Sequence, residues 1–273
     1  MQIDRLPKEG ETMSAKTGQT LAGGKGANQA TCSGKLSYQT FFIGQVGEDA
    51  HGRLIIEALE NGGVVLDCLN VVSNVPTGHA VVMLQSDGQN SIIIVGGANM
   101  SCWPEKLKDG DLDVVRNAGI VFLQREIPDS VNIQVAKAAR SANVPVILDA
   151  GGMEGLIPVE LLRCVDIFSP NETELARLTG MRTESFEQIC QAVVKCYEME
   201  KSQLPIISAT KVIDTTGAGD TFTAAFAVAL VEGKSRMESL KFAAAAASLC
   251  VQVKGAIPSM PARKAVLDLL HSL

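Results

Sequence analysis

Histidine is scarce in this chain, and its cysteines are not spaced like metal ligands. The three histidines, His51, His79 and His271, are scattered, which speaks against a His-rich metal site. The seven cysteines, Cys32, Cys68, Cys102, Cys164, Cys190, Cys196 and Cys250, are odd in number and include no Cys-x-x-Cys pair. Most sit in apolar surroundings, so buried thiols in a reducing compartment are expected rather than a disulfide framework or a zinc site. There is no basic run, and the net charge of -6 with a pI of about 5.2 argues against nucleic acid as the main partner. No apolar run reaches transmembrane length; the Ala-rich stretch 242–253 is too short and is followed by Lys254, so no membrane partner is expected. The opening Met-Gln-Ile-Asp-Arg-Leu-Pro lacks the apolar core of a secretory signal. Neither an internal repeat nor a linker is visible. What remains is a chain of 273 residues, 46% hydrophobic, able to bury a sizeable core.

The apolar patterning is that of an α/β protein. Phe41 to Gly44 reads as a buried strand and Ala50 to Asn61 as the helix after it, closed by Gly62-Gly63. Ala80 to Leu84 and Ser91 to Val95 flank Asp87-Gly88-Gln89-Asn90, a hairpin signal. Ile120 to Leu123 and Val146 to Asp149 are short apolar strands around a helical pattern from Ser130 to Ala142, which makes a parallel βαβ unit. A strand is expected over Val165 to Phe168. Helices are expected over 184–200, 221–232, 238–253 and 261–270. One α/β domain over 1–273 follows, with ligands beyond the carboxyl ends of its strands.

Two short strings carry chemistry. Asp214-Thr215-Thr216-Gly217-Ala218-Gly219-Asp220-Thr221-Phe222 places two hydroxyls and a Gly-Ala-Gly turn between two acidic residues, just before an Ala-rich helical run. Small residues let consecutive N–H groups converge at a helix start, where phosphate or a developing oxyanion is favoured. A carboxylate at Asp220, on the rim of that nest, suits a general base that activates a hydroxyl toward a phosphoryl group. The second string is Gly23-Gly24-Lys25-Gly26-Ala27-Asn28-Gln29-Ala30. If a helix starts near Lys25, then Lys25 and Asn28 share a face and both can donate to the hydroxyls of a polyol. Taken singly, each string also fits an ordinary Gly-rich helix start.

Together the two strings resemble the signature regions of the PfkB carbohydrate kinase family, the first in chain order being of the ribokinase type. The resemblance continues through Gly44 to Gly52, Pro76-Thr77-Gly78, Gly96 to Asn99, Gln124-Arg125-Glu126, Pro170 to Glu174 and Lys254 to Ser259. It implies a three-layer α/β/α fold with a mainly parallel central sheet. A small β lid, from segments 11–21 and 79–95, would cover the sugar and pair two subunits as a homodimer. The implied reaction is phosphorylation of D-ribose by ATP to ribose 5-phosphate. Asp220 would be the base and Gly217, Ala218 and Gly219 the anion hole. Gly24, Lys25, Asn28 and Glu126 would bind the sugar. Asn171, Thr216 and the Gly217–Gly219 turn would face the nucleotide. Glu174 would hold Mg²⁺ through its waters, although Asn171 and Glu174 equally have the spacing of a helix capping box. Asp214, Thr216, Cys250, Val253, Gly255 and Ser259 match positions that hold K⁺ in ribokinases. A cytoplasmic location is expected, or a plastid or mitochondrion if a transit peptide has been lost.

Two departures stand against this pattern. The family's first strand, with its sugar-binding Asn-x-Asp, has no counterpart here, and Asp4 does not replace it. A β-rich nucleotide-binding segment is also short, because Lys201 to Pro205 runs almost directly into Ile206 to Val212, leaving space for about one strand. The expectation is therefore a domain truncated at its N-terminus and between about 201 and 211. Two alternatives stay open: a catalytically impaired or inactive relative acting at most as a binding or dimerisation partner, and a kinase of another sugar or a nucleoside.

Overall fold

In the computed structural model, residues 1–86, 90–152, 155–197, 209 and 211–272 are described. The first helix, α1, spans Lys25–Lys35 and starts after Gly24, whose φ of 99° only glycine adopts at low cost. The strand expected over 41–44 is broken into β1 (Thr40–Phe41) and β2 (Gly44–Gly47). Helix α2 (Ala50–Asn61) follows, with the Asp49 carboxylate accepting from the Gly52 N–H at its start. Strands β3 (Val64–Val65) and β4 (Leu69–Val72), too short to announce themselves by pattern, pair in parallel with β1 and β2. Strands β5 (His79–Leu84) and β6 (Asn90–Val95) form the expected antiparallel hairpin; the tip, 87–89, lies outside the described residues.

Helix α3 (Asp109–Arg116) precedes β7 (Val121–Arg125), α4 (Asp129–Ser141) and β8 (Val146–Gly152). Short α5 (Val159–Leu162) leads to β9 (Ile167–Ser169), and β7-β8-β9 make a parallel sheet. Helices α6 (Glu172–Thr179) and α7 (Phe186–Tyr197) come next. The strand space expected from Ile206 falls largely outside the described residues. Helices α8 (Ala218–Val231), α9 (Arg236–Cys250), α10 (Ala256–Ser259) and α11 (Arg263–His271) close the chain. Helix α8 begins three residues earlier than its apolar pattern, which puts Asp220 in its first turn.

Two helical layers sandwich the strands. On one side Leu112, Val115, Val131, Val135 and Ala139 of α3 and α4 pack on Leu123, Val146 and Leu148 of β7 and β8. On the other, α1, α8, α9 and α11 share a core in which Ala224, Ala225, Ala229, Ala243, Ala245 and Ala246 are wholly buried around Phe242. Alanine lets α8 and α9 approach closely. The cost is low side-chain volume, so Phe242 carries much of the apolar burial, and Phe→Ala in such a core costs about 3–5 kcal/mol. Helix α1 also lies tightly on the end of α2: a Cβ on Gly34 would meet the Gly62 carbonyl oxygen at 2.1 Å.

The β5-β6 hairpin behaves differently. Apolar residues on both of its faces, Val82, Leu84, Ile92 and Ile94 on one and Ile93 on the other, are exposed, Ile94 to 69%. The N-terminal residues run along it: Met1 N–H donates to Val82 O at 2.7 Å and Ile3 N–H to Leu84 O at 2.9 Å. Gln2 in turn bridges to Thr17, so the two segments expected to form the lid meet through residues 1–3.

Candidate active site

The residues singled out in the sequence converge at the carboxyl ends of β7 and β8, where the starts of α1 and α8 meet. The N-terminus of α1 has no cap of its own. Instead the Glu126 carboxylate, just past β7, accepts from the Lys25 backbone N–H at 2.8 Å. An acidic group there complements the positive end of the helix. One turn along α1, Asn28 Nδ2 donates to Asp220 Oδ2 at 2.7 Å, joining groups 192 residues apart in sequence. The other amide atom, Asn28 Oδ1, is buried with no partner. An acceptor stranded next to a carboxylate is poised to take a hydrogen bond from a hydroxyl placed between them.

Lys25 Nζ sits at the centre of the charges. It reaches Asp149 Oδ1 at 3.0 Å and Oδ2 at 3.2 Å. Burial pushes the ammonium pKa down, but Asp149, Asp220 and Glu174 outweigh this and leave it raised, so Lys25 is firmly charged at neutral pH. Gln29 links the acids: its Nε2 donates to Asp149 Oδ2 at 3.0 Å and Asp220 Oδ1 at 3.1 Å, while its Oε1 accepts from Gln124 Nε2 at 2.7 Å. Burial raises the Asp220 carboxyl above its ordinary value, and Asp149 adds to this. Lys25 and the amides of Asn28 and Gln29 oppose it without cancelling it. Burial likewise raises Glu126. A buried carboxylate of raised pKa is a better proton acceptor than a solvated one.

The turn expected to form the anion nest opens α8 through a left-handed glycine. Gly217 has φ 81° and precedes α8 without a side-chain cap. A Cβ there would come within 3.1 Å of Ala256 and Met260. Of the three nest positions, the Ala218 N–H already donates to Thr215 O at 3.2 Å.

The loop behind the nest gathers the remaining candidates. Asp214 Oδ1 accepts from the Thr216 N–H and Oδ2 from the Gly255 N–H, both at 2.9 Å. Burial acts to raise this carboxyl, but these donors dominate and hold it below its ordinary value. Cys250 Sγ lies 3.9 Å from Thr216 O and 3.0 Å from Ser259 Oγ, and the Val253 N–H donates to Cys250 O. The donor set is carbonyl, carboxylate and hydroxyl oxygen, the hard ligands an alkali cation takes. Among the described residues, no group of three His, Cys, Asp or Glu is arranged to hold a metal ion.

Asn171 and Glu174 do form a capping box: Glu174 N–H donates to Asn171 Oδ1 at 2.8 Å, and Asn171 N–H to Glu174 Oε2 at 2.9 Å. Only Glu174 Oε1 is left to face the site. It lies with Lys25 Nζ around Gly151, where a Cβ would be 2.5 Å from each. Three participants escaped sequence reading: Asp149, Gln29 and Gln124. Asp149 directly follows the buried run Val146-Ile147-Leu148 in the middle of β8, and an acid within a buried parallel strand is the signal that could have marked it.

Comparison with known proteins gives the family of the whole chain. Residues 1–263 match the pfkB family of carbohydrate kinases. The chain is 67% identical to a ribokinase of Arabidopsis thaliana, over 99% of its own length and 77% of the relative's. That match runs over 293 positions, 20 more than the residues here, so the relative carries residues between the matched ends that this chain lacks. A ribokinase of Bacillus subtilis is 37% identical over 98% of this chain and 94% of its own. A solved structure of the Arabidopsis ribokinase complexed with ribose and ATP superposes with a TM-score of 0.93, covering 98% of this chain and 94% of that one.

Proposed function

The chain belongs to the pfkB family of carbohydrate kinases, has its ribokinase-like three-layer α/β/α fold, and from that premise we propose that it transfers the γ-phosphate of ATP to the primary hydroxyl of D-ribose. The observation that carries this reading is the meeting of Asn28 and Lys25 with Asp220 across the whole length of the chain. Asp220 takes the hydroxyl proton as the sugar oxygen attacks the γ-phosphorus and the bond to the β-phosphate oxygen breaks, releasing ADP. Asn28 Oδ1, Gly24, Lys25 and Glu126 hold the other hydroxyls. The N–H groups of Gly217 and Gly219, with that of Ala218 once it leaves the Thr215 carbonyl, receive the charge on the transferring phosphoryl, a contribution on the order of 3 kcal/mol per donor. Asn171 and Thr216 border the nucleotide.

Mg²⁺, held through water by Glu174 Oε1, would neutralise phosphate charge. K⁺, among Asp214, Thr216, Cys250, Val253, Gly255 and Ser259, would stiffen the nest from behind. The exposed apolar face of β5 and β6 supports a homodimer joined through the lid. The six cysteines that the described residues show as free support a reducing location such as the cytoplasm.

A second reading has its own support. The residues missing relative to the Arabidopsis ribokinase, and a cavity between β1 and β7, favour a domain of 1–273 that is truncated and catalytically impaired. One experiment separates the two: ³¹P NMR of the purified chain with ATP, Mg²⁺, K⁺ and ribose, beside deoxyribose, fructose and adenosine. Ribose-dependent formation of ribose 5-phosphate supports the first reading. No product with any acceptor, from a folded protein, supports the second. Product from another acceptor alone reassigns the substrate.

A further inference from the structure

A chain of amides runs from β7 to the base. Gln124 Nε2 donates to Gln29 Oε1 at 2.7 Å. Gln29 Nε2 in turn donates to two carboxylates, Asp149 Oδ2 at 3.0 Å and Asp220 Oδ1 at 3.1 Å. Gln29 is 1% exposed, Asp149 5% and Asp220 7%, which leaves little room for water to stand in for the amide. A side-chain amide donates at one end and accepts at the other. Turned over, Gln29 would set its carbonyl oxygen against two acids and its NH₂ against the NH₂ of Gln124. All three of its contacts therefore fix the same orientation. Space for the chain comes from Gly26. A Cβ there would lie 3.0 Å from Gln124 Oε1 and 3.3 Å from Phe42, so any side chain at this position would press on the Gln124 amide.

The charges around the base show why such a bridge matters. Lys25 Nζ pairs with Asp149, and Asn28 Nδ2 with Asp220, whereas Gln29 donates to both acids. Lys25 of α1 favours the charged form of Asp220, and Asp149 of β8 opposes it. Glu126, past the end of β7, lies in the same field. So does Cys32 of α1, whose thiol burial pushes up and keeps neutral. Two buried carboxylates set against one donor titrate as a coupled pair and drift toward sharing a proton unless both are held in the charged form. A base that shares its proton is not free to accept another.

Resting on the reading of Asp220 as the base, we propose that Gln29 is its positioning residue: the amide bridge keeps Asp149 and Asp220 as two separate carboxylates, and Gln124 keeps the bridge facing them. Gln29 acts in this way without touching sugar or phosphate. Its loss removes a donor from Asp220 and lets Asp149 act on it unopposed by the amide, so Asp220 holds its proton to higher pH. A glutamine that only filled space would lower stability when replaced and leave the titration of the base where it was.

The test is Gln29→Met, similar in shape and without a donor, read in two ways. ¹³C NMR of protein labelled at the aspartate Cγ follows both carboxyls, their signals identified by loss in Asp149→Asn and Asp220→Asn. The pH dependence of kcat and of ribose KM follows the reaction. Asp220 is expected to titrate at least about one pH unit higher, the effect of one charge-assisted hydrogen bond. The acid limb of kcat moves with it: kcat falls about tenfold on that limb, with ribose KM unchanged, and returns to within about threefold of the parent at high pH. Gln124→Met moves the same readings by less and adds nothing to Gln29→Met, because it acts through Gln29. A lower Tm with both titrations and the acid limb within about 0.3 pH units of the parent overturns the inference. So does a Gln124→Met effect that adds in full to that of Gln29→Met. Should Gln29→Met not fold, Gln124→Met is judged by the same titrations and the same limits. The aspartate signals read the bridge whether or not ribose is turned over, so a chain that makes no ribose 5-phosphate yet shows the shift loses the kinase reading and keeps the bridge.

Discussion

The two edges of β7 meet opposite surroundings. One is paired along its length with β8, and beyond its carboxyl end Lys25, Gln29 and Asn28 supply donors to Asp149 and Asp220. The other faces a cavity, with Asn132 Nδ2 serving the Gln124 carbonyl in place of a strand. The difference separates two requirements of an α/β enzyme. Its chemistry needs side chains at loop and helix starts, which short contiguous motifs supply. Its platform needs an unbroken ladder, supplied by strands from distant parts of the sequence, each with little local signature.

The largest effect expected short of the base itself is at Lys25. Lys25→Met removes the cation that holds down the pKa of Asp220 and lowers kcat/KM by about 10²–10³-fold, the scale of one preorganised charged donor. Because Asp220 is then raised further, the acid limb of the pH–rate profile moves to higher pH. A limb that stays in place would show that Asp220 does not sense Lys25.

Next in size is a packing test of the well-formed side. Gly34→Ala drives a methyl into the Gly62 carbonyl between α1 and α2 and costs about 1–3 kcal/mol, read as a lower denaturation midpoint. If the cavity side already loosens α1, the loss will fall below that range.

Asp149→Asn keeps the shape and removes a charge from the Lys25 pair. It lowers kcat/KM roughly tenfold, the low end for one charge-assisted hydrogen bond, with ribose KM changing more than kcat if Asp149 chiefly places Lys25 for binding. Smallest is a stability effect of opposite sign. Burial raises Asp220 and Glu126 in the folded state, so each contributes stability below the unfolded carboxylate pKa that is lost as pH rises through the folded one. Glu126→Gln therefore raises Tm modestly at pH 7 relative to the parent, and the advantage disappears below about pH 4. A Tm unchanged at pH 7 would mean that the Lys25 N–H bond offsets the burial in full.

Much of the site could be read from sequence because its two strings place their key groups within a turn of each other: Lys25 and Asn28 on α1, Gly217 and Asp220 at the start of α8. The pairing of these helices could not, since Asn28 and Asp220 are joined only by tertiary packing. Asp149 was hidden as the end of the apolar run read as a strand, and Gln29 by its place next to Asn28, which already had a role. In the fold, long amphipathic helices and the β5-β6 hairpin were legible. The pairs β1-β3 and β2-β4, of two and four residues, were not, because such short strands exist only through their partners. The break between Phe41 and Gly44 is of the same kind: an apolar run reads as one buried strand, but with a cavity at its side Phe41 is left 41% exposed.

The most direct test of the chemistry is a steady-state comparison of the 273-residue protein with Asp220→Asn, following ribose-dependent ADP release over a range of ribose concentrations. A general base in this position predicts kcat lower by about 10²–10⁴-fold with ribose KM little changed. Asp220→Asn retaining kcat within threefold of the parent would contradict the assignment of Asp220 as the base.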